Sequence, residues 1–140
     1  MGVVPVRVYL DSCIVIYLVE EHPDHAPRLD TILADLSKDK QMFLHVSDLT
    51  ELECLVLPLR QKNQPLLVKY RDWFESVEVL SLGRDVFRRA AQLRADSAGL
   101  KTPDAIHLAT AQQYGCDELW TNDDRLNRIA PLLSRNVLRS

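Results

Sequence analysis

Val6-Arg7-Val8-Tyr9-Leu10-Asp11-Ser12-Cys13-Ile14-Val15-Ile16-Tyr17-Leu18 is the stretch whose reading decides the fold. Residues 6–10 are β-branched, aromatic and aliphatic with one cation between, and read as a strand. Asp11 closes that strand. Ser12 to Leu18 follows without a spacer and reads as a short helix, capped by Asp11 or by Ser12. An apolar strand that passes directly into a helix is the repeating unit of a parallel α/β sheet.

The alternation continues outward from there. His22 to Pro27 reads as a loop, and Leu29, Ile32, Leu33 and Leu36 give Arg28 to Leu36 a helical spacing. Met42 to Val46 is the second expected strand, and a helix is expected from Glu51 to Arg60. Gln64-Pro65 opens another helix, with Leu66, Leu67, Tyr70, Trp73 and Phe74 along one side. VEVLSL (77–82) reads as a third strand and Asp85 to Ala98 as a helix ended by Gly99. Thr102 as cap and Pro103 in the first turn start a helix that runs to Tyr114, with Gly115 as its stop. ELWT (118–121) is the fourth strand. A last helix is expected over 125–133, and Asn136 to Leu138 as an edge strand. The pattern predicts one domain over residues 1–140, a three-layer α/β/α fold around a central parallel sheet of four to five strands.

Composition agrees with a single globular domain. The chain has 140 residues, of which 46% are apolar and 26% charged, enough for a real core. No apolar run approaches the roughly 20 residues of a membrane span. The opening MGVVPVRVYLD has neither the charged start nor the long apolar stretch of an export signal. Cys13, Cys54 and Cys116 lack metal-site spacing and read as small buried hydrophobes of a reducing cytosol. A net charge of −3 excludes the strongly basic class of nucleic-acid binder. Arg84, Arg88, Arg89 and Arg94 nonetheless share one segment.

Four acids sit at the expected junctions: Asp11, Glu53 in SDLTELE, Asp104 in PDAIHLATA and Asp123 in WTNDD. Each has a local explanation. Asp11 and Asp123 or Asp124 can cap helices, Thr50 and Glu53 fit a capping box, and Asp104 suits a helix dipole. A joint explanation is also open. In parallel α/β sheets such junctions collect at the carboxyl ends of the strands, where ligand sites form. Carboxylates that meet there repel unless a cation joins them. Oxygen ligands favour a hard ion, Mg²⁺ or Mn²⁺. His22, His25, His45 and His107 read as surface or satisfied core histidines.

In order along the chain, VYLDSCIVIYL, Ser47 to Glu53, LKTPDAIHLATA (100–111) and WTNDDRL (120–126) resemble the PIN-domain family. Within it the chain is most similar to the VapC-type toxins of prokaryotic toxin–antitoxin pairs, over essentially its whole length. The resemblance implies a metal-dependent endoribonuclease with Asp11, Glu53, Asp104 and Asp123 as catalytic ligands of Mg²⁺ or Mn²⁺, Asp11 the most central. It implies that Ser12, Thr121 and Asn122 orient the site. It also implies an RNA substrate, a cognate antitoxin, a homodimer and a cytoplasmic setting. The family's S-x-x-T-x-x-E spacing selects Glu53 over Glu51, and its T-N-D order selects Asp123 over Asp124. Cys13 stands where the family often has a polar residue.

Two other functions are open to the sequence. One is a non-catalytic PIN-like module that binds nucleic acid or protein. The other is a phosphatase with Asp11 as nucleophile, which would want a second Asp where Cys13 stands.

Overall fold

A computed structural model describes residues 4–138 of the chain. The export-signal reading of the N-terminus thus falls partly on residues 1–3, outside the described residues, and the side chain of Leu36 is also outside them. Five strands and seven helices follow one another in the described residues: β1 (Val4–Leu10), α1 (Ser12–Val19), α2 (His25–Asp39), β2 (Lys40–Ser47), α3 (Asp48–Arg60), α4 (Gln64–Glu75), β3 (Glu78–Leu80), α5 (Arg84–Asp96), α6 (Thr102–Gln113), β4 (Glu118–Thr121), α7 (Asp124–Ile129) and β5 (Ser134–Asn136). All strand pairs are parallel, in the order β3-β2-β1-β4-β5.

The strand phase explains the layers. Val8 and Leu10 of β1 point into one core with Ile14, Val15, Leu29, Val46, Tyr70, Phe74 and Trp120. Tyr9 points into the opposite core with Leu80, Val86, Ala90, Leu108, Leu119 and Leu126. The first core packs α1 to α4 against the sheet and the second packs α5 to α7. Both faces of β1 are covered at its carboxyl end, which is why Val8, Tyr9 and Leu10 are all apolar or aromatic and fully buried. The chain leaves β1 for β2 and β3 on one side, then returns to β4 on the other side of β1. The reversal leaves a crevice at the carboxyl ends of β1 and β4.

Several boundaries differ from the sequence expectation for local reasons. Helix α2 begins at His25, inside the expected loop, because Pro27 lies in its first turn, where a missing N–H does no harm. Helix α3 begins at Asp48, three residues early. Its capping box is Ser47 with Thr50 rather than Thr50 with Glu53, and Thr50 Oγ1 accepts from the Ser47 N–H at 3.1 Å. Glu53 is thereby free of the cap. Helix α5 closes at Ser97, before Gly99, whose φ of 88° serves the turn instead. Thr102 does not cap α6; Lys101 holds that place with its backbone, and the Thr102 hydroxyl accepts from Arg94. The last helix stops at Ile129 because Pro131 cannot continue it, and β5 forms over 134–136, two residues early. Strand β3 is confined to 78–80 at the sheet edge. No helix among the described residues is long and apolar enough to cross a membrane.

Candidate active site

Asp11 is fixed by the strand-to-helix junction. Its N–H donates to the Trp120 carbonyl of β4 at 3.0 Å. Its side chain caps α1: Oδ1 accepts from the Ser12 N–H at 2.6 Å, with the Ser12 hydroxyl at 3.4 Å. Oδ2 accepts from the Thr121 hydroxyl at 2.8 Å. Only 8% of Asp11 is exposed. Thr121 ends β4 with no exposure, and its Oγ1 also accepts the Asp123 N–H at 3.0 Å. One hydroxyl thus ties the carboxyl end of β1 to that of β4.

Glu53 and Asp104 reach the same crevice from opposite layers, α3 and α6. Glu53 Oε1 lies 2.5 Å from His107 Nε2, and Asp11 Oδ1 lies 3.7 Å from the same nitrogen. Asp104 is half-buried. Burial first, then the charges of Asp11 and Asp123, raise its pKa, while Arg125 and His107 act the other way. Asp123 caps α7 and is held by Arg125, whose Nε and Nη2 donate to its two oxygens at 3.2 and 2.9 Å. That hydrogen bonding is the main reason its pKa is lowered, burial acting in the opposite sense.

The crevice is an open cleft of about 560 Å³ lined by Asp11, Ser12, Glu53, Asp104, Asn122 and Asp123. All four sequence-selected acids therefore share it. Glu51 does not, since two residues' displacement on a helix turns it to a groove between α3 and α4. Asp124 lines the cleft as well, and its Oδ1 accepts from Asn136 at 2.9 Å. The side chain of Asn122 donates to the Tyr17 hydroxyl at 3.2 Å rather than to an acid. Cys13 also borders the cleft. Burial, then the Asp11 charge, pushes its thiol up to about 12, so it remains an uncharged S–H at neutral pH.

His107 is the residue beside the cleft acids that local sequence reasoning missed. It is 1% exposed, lies one turn beyond Asp104 on α6, and stands between Tyr9 and Glu53. Tyr9 Oη is 2.6 Å from Nδ1 and 2.8 Å from Ser47 Oγ. Burial raises the Tyr9 pKa well above the ordinary phenol value, so it stays protonated. Because a carboxylate can only accept, Nε2 carries the proton shared with Glu53. The signal available in the sequence was the i, i+3 spacing from Asp104 on an otherwise apolar helix.

A divalent cation fits these residues. One atom each of Asp11, Glu53 and His107 lie within 4.8 Å of one another; with Nε2 protonated toward Glu53 and Nδ1 on Tyr9, His107 holds Glu53 in place, and the carboxylate oxygens are the donors left for the ion. Asp104 shares the cleft in a state that like charges disfavour, which a cation would relieve. The donor set is mainly hard oxygen, suited to Mg²⁺ or Mn²⁺.

Fold and site define an α/β protein with an acidic cleft at the switch point of a five-stranded parallel sheet. Residues 8–132 match the PIN-domain model, and the chain belongs to the PIN-domain family. The fold is similar to that of several solved structures. These include VapBC2 from Rickettsia felis bound to a promoter DNA fragment, with a TM-score of 0.76, 18% identity and coverage of 93% of this chain and 98% of that one. A toxin–antitoxin complex from Klebsiella pneumoniae gives a TM-score of 0.72 at 23% identity, covering 93% and 97%. VapC20 of Mycobacterium tuberculosis, described as a Sarcin-Ricin loop cleaving toxin, gives 0.62 at 17% identity, covering 80% and 86%. No curated protein matches the chain in sequence.

Proposed function

We propose that this protein is a metal-dependent endoribonuclease, the toxin of a toxin–antitoxin pair. The observation that carries the reading is the meeting of Asp11, Glu53, Asp104 and Asp123, drawn from four parts of the chain, in one cleft. Membership of the PIN-domain family and the toxin–antitoxin complexes among structures of similar fold support it. An RNA substrate is favoured by the kinship in fold with a toxin described as cleaving the Sarcin-Ricin loop.

In this reading Asp11, Glu53, Asp104 and Asp123 hold Mg²⁺ or Mn²⁺. Such an ion, when bound, neutralises phosphate charge and lowers the pKa of water. The protein's own part is to hold oxygen donors still. Thr121 and the Ser12 N–H fix the two oxygens of Asp11, and Tyr9 through His107 fixes Glu53. Donors immobilised in this way lose no reorganisation energy when charge builds on the substrate.

A protein partner, the antitoxin, is supported by exposed apolar side chains on α3 and α4: Leu52, Leu57 and Leu59 are each more than half exposed, and Val68 lies nearby. A homodimer and a cytoplasmic setting complete the proposal.

The test is cleavage of RNA by the purified chain with Mg²⁺, with Mn²⁺ and with chelator, for wild type and Asp11→Asn. Asparagine keeps the helix cap, so the variant should fold. The expected result is metal-dependent cleavage that the substitution abolishes. Cleavage that survives unchanged in Asp11→Asn would overturn the reading.

A further inference from the structure

Beside the acidic cleft lies a second cavity of about 340 Å³, lined by Ala98, Gly99, Leu100, Asp104, Arg125, Leu126, Arg128 and Ile129. Asp104 and Arg125 belong to both cavities and form the wall between them. The two spaces have opposite chemistry. The cleft presents carboxylates, whereas the neighbouring cavity has an apolar floor, with Leu100 and Leu126 buried, and two guanidinium groups.

The two arginines are differently placed. Arg125 is tied to Asp123 through Nε and Nη2, while Nη1 has no partner among the described residues. Arg128 is exposed and makes no hydrogen bond or ion pair among them; its charge acts on Asp123 only at a distance. The cavity wall comes from the turn between α5 and α6, where Gly99 adopts φ 88°, a conformation an L side chain rarely takes. The cavity is at the small end of the range for ligand sites, which suits one nucleotide unit rather than two.

We infer that this cavity is a nucleotide subsite: it takes the base and ribose of the RNA residue next to the cleaved bond, with Arg128 and the free edge of Arg125 on the flanking phosphate. This deepens the ribonuclease reading and rests on it. A polyanion can enter a cleft of carboxylates only with cations alongside. Arg125 and Arg128 are the cationic side chains lining the two cavities. The floor has no aromatic ring, so the subsite selects for shape and phosphate more than for stacking.

Two measurements test it. In metal-free buffer, adenosine 3′,5′-bisphosphate, a nucleoside with a phosphate on either side, is titrated into labelled protein. Amide shifts should concentrate at Leu100, Arg128 and Ile129, and Arg128→Ala should weaken binding about tenfold, as for one charge-assisted contact. In the cleavage assay the same variant should raise KM with kcat little changed. The slope of log KM against log salt should flatten by about 0.7, one phosphate contact on a single strand. Arg60→Ala, on the exposed end of α3, is the control for general charge loss. Wild-type cleavage combined with unmoved amides and an unchanged salt slope in Arg128→Ala would overturn the subsite. Amide shifts in a wild type that cleaves no RNA would sink the ribonuclease reading, and with it the place of the cavity beside a cleaved bond, while showing that the cavity itself binds a nucleotide.

Discussion

Tyr9→Phe removes one oxygen atom from the centre of the molecule and should be felt at the metal ligands. The Tyr9 side chain is fully buried, and its hydroxyl meets His107 Nδ1 at 2.6 Å, Ser47 Oγ at 2.8 Å and Thr50 Oγ1 at 3.4 Å. Phenylalanine keeps the ring and its packing. Thr50 Oγ1 keeps the Ser47 N–H, and Ser47 and Thr50 keep each other at 3.5 Å. The group left without a partner is His107 Nδ1. Stranding a buried polar atom costs about 1–3 kcal/mol, partly offset because the variant no longer desolvates a hydroxyl. A net loss of roughly 1–2 kcal/mol follows, small enough for a domain of ordinary stability to remain folded. In urea, the midpoint should fall with the slope unchanged. Glu53 is held through His107, so Mn²⁺ binding should weaken about 10–100-fold, the range for loss of a group that orients a ligand. A cycle with His107→Gln should show a coupling of at least about 0.5 kcal/mol. If Tyr9→Phe leaves both the urea midpoint and the Mn²⁺ affinity unchanged, Tyr9 does not position the site through His107.

Asp104→Asn should stabilise the metal-free protein near pH 7. A raised pKa means that the folded state binds the proton more tightly than the unfolded state. The wild type therefore loses stability as pH rises through the carboxylate range, and thermal melts of the two proteins should converge in acid. With saturating Mn²⁺ the order should reverse, because only the wild type keeps the full ligand set. Cys13→Ala should retain RNA cleavage, and the Cys13 thiol should resist alkylation at pH 8, since its pKa is pushed up to about 12; rapid alkylation would contradict that environment. Leu52→Glu with Leu59→Glu should leave the melting temperature of the isolated chain nearly unchanged but reduce self-association or antitoxin capture in light scattering, because both side chains are more than half exposed. Undiminished assembly would place the partner elsewhere.

The sequence by itself determined what is local. Apolar VRVYL running into Asp11 and a helix, Pro103 in the first turn of α6 and Gly115 behind it, and ELWT followed by Asn122 and Asp123 are signals complete within a few residues. They depend on strand and helix periods and on caps, so they gave the α/β alternation and put Asp11, Asp104 and Asp123 at element ends, whereas Glu53 lies in the second turn of α3. They did not give cap partners reliably, because Ser47-Asp48-Leu49-Thr50-Glu51-Leu52-Glu53 holds two overlapping S/T-x-x patterns. The helix starts where β2 ends, which selects Ser47 with Thr50. Tertiary structure decided the rest. His107 looks like a core histidine on an apolar helix until Tyr9, 98 residues away, and Glu53, 54 residues away, are brought to its two nitrogens. The order β3-β2-β1-β4-β5 sets α3 and α6 on opposite faces of β1, with Glu53 and Asp104 reaching the same crevice. Arg125 pairs with Asp123 locally, two residues apart, but becomes the wall of a second cavity only once the turn after α5, α6 and α7 are packed together. A side chain's chemical type can be read from one position, but its partners depend on how distant elements are stacked.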